Sequence, residues 1–111
     1  MTFDHVQFVR AIDGDTVVIN IPRLPAIFGH CVSIRLAGIQ SPEIRSKDKD
    51  TFHRAMKAKQ FLQTKCEKAE KITLCNCKRG KYFRIIADLF IDGLCVNSEL
   101  VRAGLAVKKQ F

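Results

Sequence analysis

The stretch VSIRLAGIQSPE, residues 32–43, decides the fold and raises the question of function. Its first six residues alternate between apolar and less apolar side chains, which is the period of a half-buried β-strand. Arg35 lies in that strand, Gly38 ends the alternation, and Glu43 follows the turn at Pro42. The stretch therefore places a permanent cation and a carboxylate at the two ends of a strand and its turn.

The residues before this stretch predict two further strands. Residues 6–12 lead into Asp13-Gly14, a dipeptide typical of tight hairpins, and the β-branched run 16–21 follows. Three apolar side chains of the next loop are expected to fold back onto the sheet: Leu24, Ile27 and Phe28.

The second half of the chain begins with a helical pattern. From about Thr51 to Lys68, apolar residues recur at helical spacing while basic residues cover the other side. The apolar stripe consists of Phe52, Ala55, Met56, Leu62, Cys66 and Ala69. The pattern predicts an amphipathic helix.

Strands return after this helix. Residues 72–77 predict a short strand, a basic turn follows over 78–81, and residues 83–91 alternate as a longer strand that contains Arg84. Asp92-Gly93 is a second hairpin signal.

A last short helix is predicted to begin at Asn97 or Ser98 as N-cap and to stop at Gly104. The order is therefore three strands, a helix, two or three strands and a helix. This order predicts an α+β, mainly β fold: a five-stranded OB-type barrel with a helix between strands 3 and 4 and a short C-terminal helix. The length of 111 residues fits one domain, residues 1–111.

The composition points to an anionic partner. Nineteen Lys and Arg residues against eleven Asp and Glu give a net charge of +8, so nucleic acid or an anionic membrane surface comes first. OB-type barrels commonly bind single-stranded nucleic acid, which agrees with this charge. No apolar run approaches the roughly 18–20 residues of a spanning helix, so we expect no membrane-spanning segment. We also expect no membrane partner, and we expect the protein to be a monomer.

The N-terminus has neither the basic nor the apolar region of a signal peptide. The chain as written is therefore expected in the cytoplasm, or to be secreted or periplasmic if a signal was removed. Five cysteines without a repeated spacing do not predict a disulfide framework. A zinc site at Cys75 and Cys77 would need two more ligands, so small half-buried hydrophobes are the favoured interpretation.

Charged residues in or beside the strands supply the parts needed for phosphodiester hydrolysis. Taken singly, each has an ordinary explanation as a turn residue or a solvated charge. Together, Arg35 and Arg84 offer forked donors for phosphate oxygens, and Glu43 offers a carboxylate to orient or deprotonate water. The acidic pair Asp13 and Asp15, near a backbone carbonyl, suits a hard cation.

Five ordered motifs resemble those of the staphylococcal nuclease (thermonuclease) family: AIDGDTVVI, IRLAGIQSPE, KYFRIIAD, DGLCVN and LVRAGLA. The resemblance covers most of the chain. It implies an OB-type barrel with helices and a Ca²⁺-dependent phosphodiesterase that cuts DNA and RNA, leaving a 5′-hydroxyl and a 3′-phosphate.

The resemblance also assigns roles position by position. Asp15 matches the carboxylate that binds calcium directly, and Ser41 matches a residue whose backbone carbonyl faces the metal. Arg35 and Arg84 match the phosphate-binding arginines. Glu43 matches the acid thought to act as general base or to orient water.

Other positions match supporting and substrate-binding residues. Asp13 and Thr16 match residues that support the metal site. Tyr82 matches a tyrosine that lines the nucleotide pocket, and we place Lys81 beside it as a substrate contact.

Three departures from the family pattern affect these expectations. Gln40 replaces an aspartate that ligates calcium, so an oxygen ligand remains but calcium is expected to bind weakly. Phe83 replaces a glycine before the second arginine. The aromatic residues that pack on the base in the family are not matched, unless Phe111 partly substitutes.

These inferences predict a calcium-dependent, largely sequence-nonspecific endonuclease acting on single-stranded DNA and RNA. The alternative is a module of the same fold that binds single-stranded nucleic acid without cleaving it. A third interpretation is an adaptor that binds a protein through the apolar loop LPAIFG, residues 24–29. The presence of the whole charged set favours the enzyme.

Overall fold

The computed structural model describes residues 1–81 and 83–109. Its strands are β1 (Gln7–Asp13), β2 (Thr16–Asn20), β3 (Val32–Leu36), β4 (Ile39–Gln40), β5 (Ile72–Arg79), β6 (Ile85–Ile91), β7 (Leu94–Cys95) and β8 (Val107–Lys108). Its helices are α1 (Ala26–Gly29), α2 (Lys49–Glu67) and α3 (Val96–Arg102).

The main sheet has the strand order β1-β2-β3-β6-β5, and β7 pairs with β6. Strands β3 and β6 run parallel, while the other neighbours in this order are antiparallel. The sheet curls until the segment before β1 meets β5. There Phe3 bridges to Leu74, and the Val6 amide donates to the Ile72 carbonyl at 3.1 Å. The predicted OB-type, mainly β fold with helices is confirmed.

The hydrophobic core fills the inside of the curled sheet. Its fully buried side chains include Ile34, Leu36, Leu62, Leu74 and Leu89. Four of these five come from β3, β5 and β6, and Leu62 comes from α2, so the helix closes the core against the sheet.

Helix α2 begins two residues earlier than predicted because Asp48 caps it. The Asp48 carboxylate accepts a hydrogen bond from the Thr51 amide at 3.0 Å. The helix buries Ala55, Ala58, Leu62 and Cys66. Phe52 and Met56, predicted for the same stripe, are instead 41% and 40% exposed.

The expectation that the loop after β2 folds back onto the sheet is only partly right. Leu24 is half-buried against the core, but Ile27 and Phe28 are 85% and 68% exposed. The loop is anchored by its one-turn helix α1, where the Gly29 carbonyl accepts from the Ile21 amide at 2.7 Å. This anchor leaves the apolar side chains of the turn on the outer side.

The N-cap predicted for the last helix is wrong. Neither Asn97 nor Ser98 caps α3, which starts at Val96. Asn97 is instead buried within the helix, where it accepts from the Leu89 amide at 3.0 Å and donates to the Ala37 carbonyl at 2.9 Å. These bonds hold α3 against β6 and the end of β3.

Arg84 lies just before β6 and not within it, since β6 begins at Ile85. The reason is local: Phe83 has a φ of +61°, outside the extended region, and the Arg84 amide donates back to the Lys81 carbonyl at 3.2 Å, so Arg84 still belongs to the turn. Among the described residues, none of the helices combines the length and the hydrophobicity that crossing a membrane requires.

Candidate functional site

The site begins at the turn between β1 and β2. A register shift between Ala11 and Asp13 sets two residues of β1 against one of β2, which is a β-bulge. The Ala11 amide donates to the Gln63 side chain of α2 at 2.8 Å, so the helix fixes the bulge. The Asp13 carboxylate then accepts from the Asp15 amide at 3.0 Å and closes the turn.

Gly14 allows this turn to lie directly against two other elements. A Cβ atom at this position would lie 2.5 Å from the Ala58 Cβ of α2 and 2.7 Å from the Ser41 Cβ. Any side chain here would push these neighbours away. Glycine therefore brings together the β1–β2 turn, the helix and the segment that leads to Glu43.

Asp15 is the buried carboxylate at the centre of the site, with 7% of the residue exposed. Its Oδ1 accepts from the Thr16 hydroxyl at 3.0 Å, and its Oδ2 accepts from the Ser41 amide at 2.9 Å. Arg35 Nη2 lies 3.4 Å from the same Oδ2. The structure thus brings together four of the residues that the sequence predicted for the site.

Arg35 is held in place by main-chain carbonyls. Its Nη1 donates to the Leu36 carbonyl and its Nη2 to the Ile39 carbonyl, both at 2.8 Å. Nη1 also lies 3.5 Å from the Asp15 carbonyl. Because its side chain is only 12% exposed, Arg35 is not a solvated surface charge.

The two acids of the turn have opposite pKa shifts. Burial, followed by a hydrogen bond with Asp15, raises the pKa of Asp13 to about 6. Burial alone would also raise the pKa of Asp15, but hydrogen bonds with Asp13 and the Ser41 amide, together with the charge of Arg35, lower it. Asp15 is therefore ionised at neutral pH, while Asp13 retains its proton until the pH approaches about 6.

Glu43 is exposed and follows Ser41 by two residues. The bond from the Ser41 amide to Asp15 therefore fixes where the Glu43 segment begins. The Glu43 carboxylate accepts from the Arg45 amide at 3.4 Å. Over residues 1–81 and 83–109, no three Asp, Glu, His or Cys side chains lie close enough to hold a metal together, so Glu43 is not clustered with both acids of the turn.

Oxygen ligands for a hard cation would come from neighbouring positions. Asp15 supplies an ionised carboxylate, the Ser41 backbone supplies a carbonyl, and the half-buried Gln40 supplies a side-chain carbonyl. Gln40 lies in β4, paired with Val107 of β8. This donor set fits a hard cation by ligand type, and its low charge fits weak binding.

Arg84 lies immediately before β6, the strand that pairs with the strand of Arg35. The parallel register sets Arg35 beside Ile86, two residues after Arg84. Arg84 is half-buried. Its carbonyl accepts from the Gly80 amide at 2.7 Å, which closes the turn before β6.

The predicted substrate-binding residues are only partly visible. Lys81 is exposed in the turn before β6. Tyr82 and Phe111 lie outside the described residues, so their predicted roles stay predictions.

A basic groove, which the sequence reasoning missed, lies beside Arg35. Its volume is about 1140 Å³. Two of its lining residues are neighbours of Arg35: Ile39, whose carbonyl accepts from the guanidinium, and Ile86, which pairs with Arg35 across the sheet. Its basic lining residues are Lys78, Arg102, Lys108 and Lys109. The adjacent lysines at 108 and 109 are visible in the sequence as a basic pair, but only the pairing of β8 with β4 shows that they line this groove.

Residues 33–111 match the family model described as staphylococcal nuclease homologue. Because the match covers more than half of the chain, this protein belongs to that family. A domain of this family is a nuclease-type or nucleic-acid-binding module. The match begins within β3, so the acids of the β1–β2 turn lie before it. Asp15 belongs to the site because it contacts Arg35 and Ser41, and Asp13 because it accepts from the Asp15 amide.

Proposed function

We propose that this protein, acting as a monomeric single domain, hydrolyses phosphodiester bonds in single-stranded DNA and RNA with little sequence preference. The expected products carry 3′-phosphate and 5′-hydroxyl ends. One observation supports the proposal most directly: the buried carboxylate of Asp15 contacts both the Arg35 guanidinium and the amide of Ser41, two residues before Glu43.

Arg35 is suited to binding the scissile phosphate. Its two short bonds to main-chain carbonyls, both 2.8 Å, keep the guanidinium in one orientation. Its two longer contacts, at 3.4 and 3.5 Å to Asp15, are the ones that phosphate oxygens would replace. A guanidinium offers rigid paired donors, and donors oriented in advance bind charge that develops on the phosphate without reorganising.

Glu43 and Arg84 complete the reaction in this proposal. Glu43 is exposed and can therefore reach a water molecule on the solvent side of the phosphate, where its carboxylate orients or deprotonates that water. Arg84 lies just before the strand that pairs with the strand of Arg35, and in this proposal it neutralises further charge on the five-coordinate phosphorus.

Calcium is the ion that the family resemblance implies, and the donor oxygens suit it. When bound, it would supply positive charge to the phosphate and to the attacking water. Asp15, the Ser41 carbonyl and Gln40 would hold it. Since only Asp15 brings a firm negative charge, the substrate phosphate would contribute to its affinity, and half-saturation is expected at high calcium.

The basic groove provides the path for the rest of the strand. Four cationic residues line it and Asp88 is the acid among its lining residues. Binding of single strands should weaken steeply with salt, with a slope of about −0.7 per neutralised phosphate. A binding constant that stays flat between low and physiological salt would favour the adaptor interpretation instead.

The second candidate function is a module that binds nucleic acid without cleaving it. It is favoured by Gln40, which removes a charge from the cation site, and by Glu43, which forms no metal-binding cluster with both acids of the turn. The two candidates share the same groove and the same arginines. They differ in whether the bond breaks.

Incubation with labelled single-stranded DNA in calcium, in magnesium and in chelator tests the proposal. We expect cleavage in calcium, with new 5′ ends that a polynucleotide kinase labels without prior phosphatase treatment. Arg84→Ala should reduce cleavage strongly, and Arg10→Ala, at an exposed position of β1, is the matched control. Binding without cleavage under all three conditions would favour the module.

A further inference from the structure

The turn between β5 and β6 presents an aromatic ring to solvent. Phe83 is 92% exposed, the highest value among the large hydrophobic residues of the described chain. Leu94, at the other end of β6, is 61% exposed. A ring this exposed contributes almost nothing to the hydrophobic core, so packing does not explain its presence.

The backbone at Phe83 is strained. Its φ of +61° lies in the left-handed region, where a Cβ atom meets the following carbonyl and where glycine is the usual residue of a hairpin loop. The strain is held by the surrounding turn, in which the Gly80 amide donates to the Arg84 carbonyl at 2.7 Å and the Arg84 amide donates to the Lys81 carbonyl at 3.2 Å. Strain maintained in this way is typical of ligand-binding loops.

The turn is also strongly basic. Residues 78–84 contain four cations, Lys78, Arg79, Lys81 and Arg84, and no acid. Lys78 lines the basic groove, and Arg84 lies just before β6, which pairs with the strand of Arg35. Exposed aromatic rings among cations are the arrangement that binds single-stranded nucleic acid, because every base offers a face for stacking and every nucleotide a phosphate.

We propose that Phe83 is a stacking platform for one base of a single strand whose phosphates lie along Arg84 and the basic groove. The inference rests on the proposed function for the identity of the ligand. It adds a base contact that does not depend on the nucleotide's sequence. It also explains why a strained position carries phenylalanine: the strained backbone holds the ring outward, where a base can cover it.

Binding measured in chelator, by fluorescence anisotropy of a labelled oligothymidylate and of an abasic oligonucleotide of equal length, tests this inference. Wild type should bind the base-containing strand more tightly than the abasic one. Phe83→Gly should weaken binding of the base-containing strand by about fivefold to about thirtyfold and leave the abasic strand unchanged. Phe83→Trp should retain the preference, and Leu94→Ala, which removes another exposed apolar side chain, is the matched control.

Thermal unfolding of the same variants separates the ring from the fold. Glycine tolerates the left-handed backbone, so Phe83→Gly should keep or raise the melting temperature while base binding falls. A clear fall in melting temperature together with weaker binding of both the base-containing and the abasic strand would mean that the ring supports the fold, and it would overturn the stacking role.

The remaining outcomes separate this inference from the proposed function. If Phe83→Gly binds both oligonucleotides as wild type does, the stacking role is wrong and the proposed function stands. If wild type binds neither oligonucleotide, both are wrong. If Phe83→Gly loses binding to vesicles of anionic lipid but not to oligonucleotides, the ring serves a membrane surface and the stacking role is wrong.

Discussion

The Ser41 amide donates to Asp15 Oδ2 at 2.9 Å, a hydrogen bond between residues 26 positions apart. It joins the β1–β2 turn to the segment that carries Gln40 and Glu43. It also lowers the pKa of Asp15, together with the hydrogen bond from Asp13 and the charge of Arg35, against the effect of burial. This bond therefore positions the proposed catalytic segment and is one of the interactions that lower the pKa of its central acid.

Arg35→Lys tests whether the guanidinium geometry matters more than its charge. Lysine keeps the positive charge but cannot donate to the Leu36 and Ile39 carbonyls at once in the same geometry. We expect a stability loss of about 1–3 kcal/mol with the fold retained, and cleavage lower by orders of magnitude. Arg10→Lys is the control, and turnover near the wild-type value in Arg35→Lys would remove Arg35 from the mechanism.

Gln40→Asp tests the cation site. Between unit charges about 4 Å apart, at an effective dielectric near 20, the Coulomb attraction is about 4 kcal/mol, and desolvation of the new carboxylate offsets part of it. We expect calcium affinity to rise roughly tenfold to a hundredfold, measured by calorimetry with and without a nucleotide bisphosphate. Gln40→Asn has the same reach without the charge and should not tighten binding. Unchanged affinity in Gln40→Asp would mean that residue 40 is not a ligand.

The raised pKa of Asp13 predicts a pH dependence of stability. Burial first, and then the hydrogen bond with Asp15, raises this pKa from 3.8 to about 6, so the folded state holds the proton more tightly than the unfolded state. The stabilisation is complete below about pH 4 and is lost as the pH rises through about 6. In chelator, denaturant unfolding of Asp13→Asn should lose this fall and exceed wild-type stability at pH 8. The control Glu70→Gln should keep the wild-type profile, and identical profiles in all three proteins would contradict the assignment.

Gly14→Ala tests the close approach that assembles the site. The added methyl would lie 2.5 Å from the Ala58 Cβ and 2.7 Å from the Ser41 Cβ, so α2 and the 41–43 segment must shift. We expect a destabilisation of about 1–3 kcal/mol, and reduced cleavage because Ser41 moves relative to Asp15. Gly38→Ala is a useful comparison: it has open space around it but a φ of +73°, so it should lose stability without the same loss of cleavage.

Local patterns were sufficient for most of the fold. Alternation predicted β3 and β6, the β-branched run predicted β2, and Asp92-Gly93 forms its predicted hairpin turn with φ values of +50° and +87°. These features depend on neighbours in sequence or on a period of two. The register that sets Thr16 beside Arg35 was not predicted, because the residues of β2 from Thr16 to Ile19 are all buried and do not alternate.

Features that depend on distant parts of the chain were not predictable. Asn97 is a residue type that is common at N-caps, but its side chain bonds to Leu89 and Ala37 because α3 lies against two strand ends. The sequence predicts Gly14 as a turn residue, but glycine is needed there because α2 lies too close for a side chain. The basic groove exists only because β8 returns to pair with β4. None of these contacts leaves a periodic signal in the sequence.

The central claim is that Glu43 activates water at a phosphate bound by the arginines, and one paired measurement tests it most directly. Cleavage and binding of the same single-stranded oligonucleotide are measured in calcium for wild type, for Glu43→Gln and for the exposed-acid control Glu70→Gln. We expect Glu43→Gln nearly to abolish cleavage while its affinity for the strand matches or exceeds that of wild type, because an exposed carboxylate near a phosphate contributes no attraction. Equal cleavage by all three proteins, or binding without cleavage in all three, would contradict it.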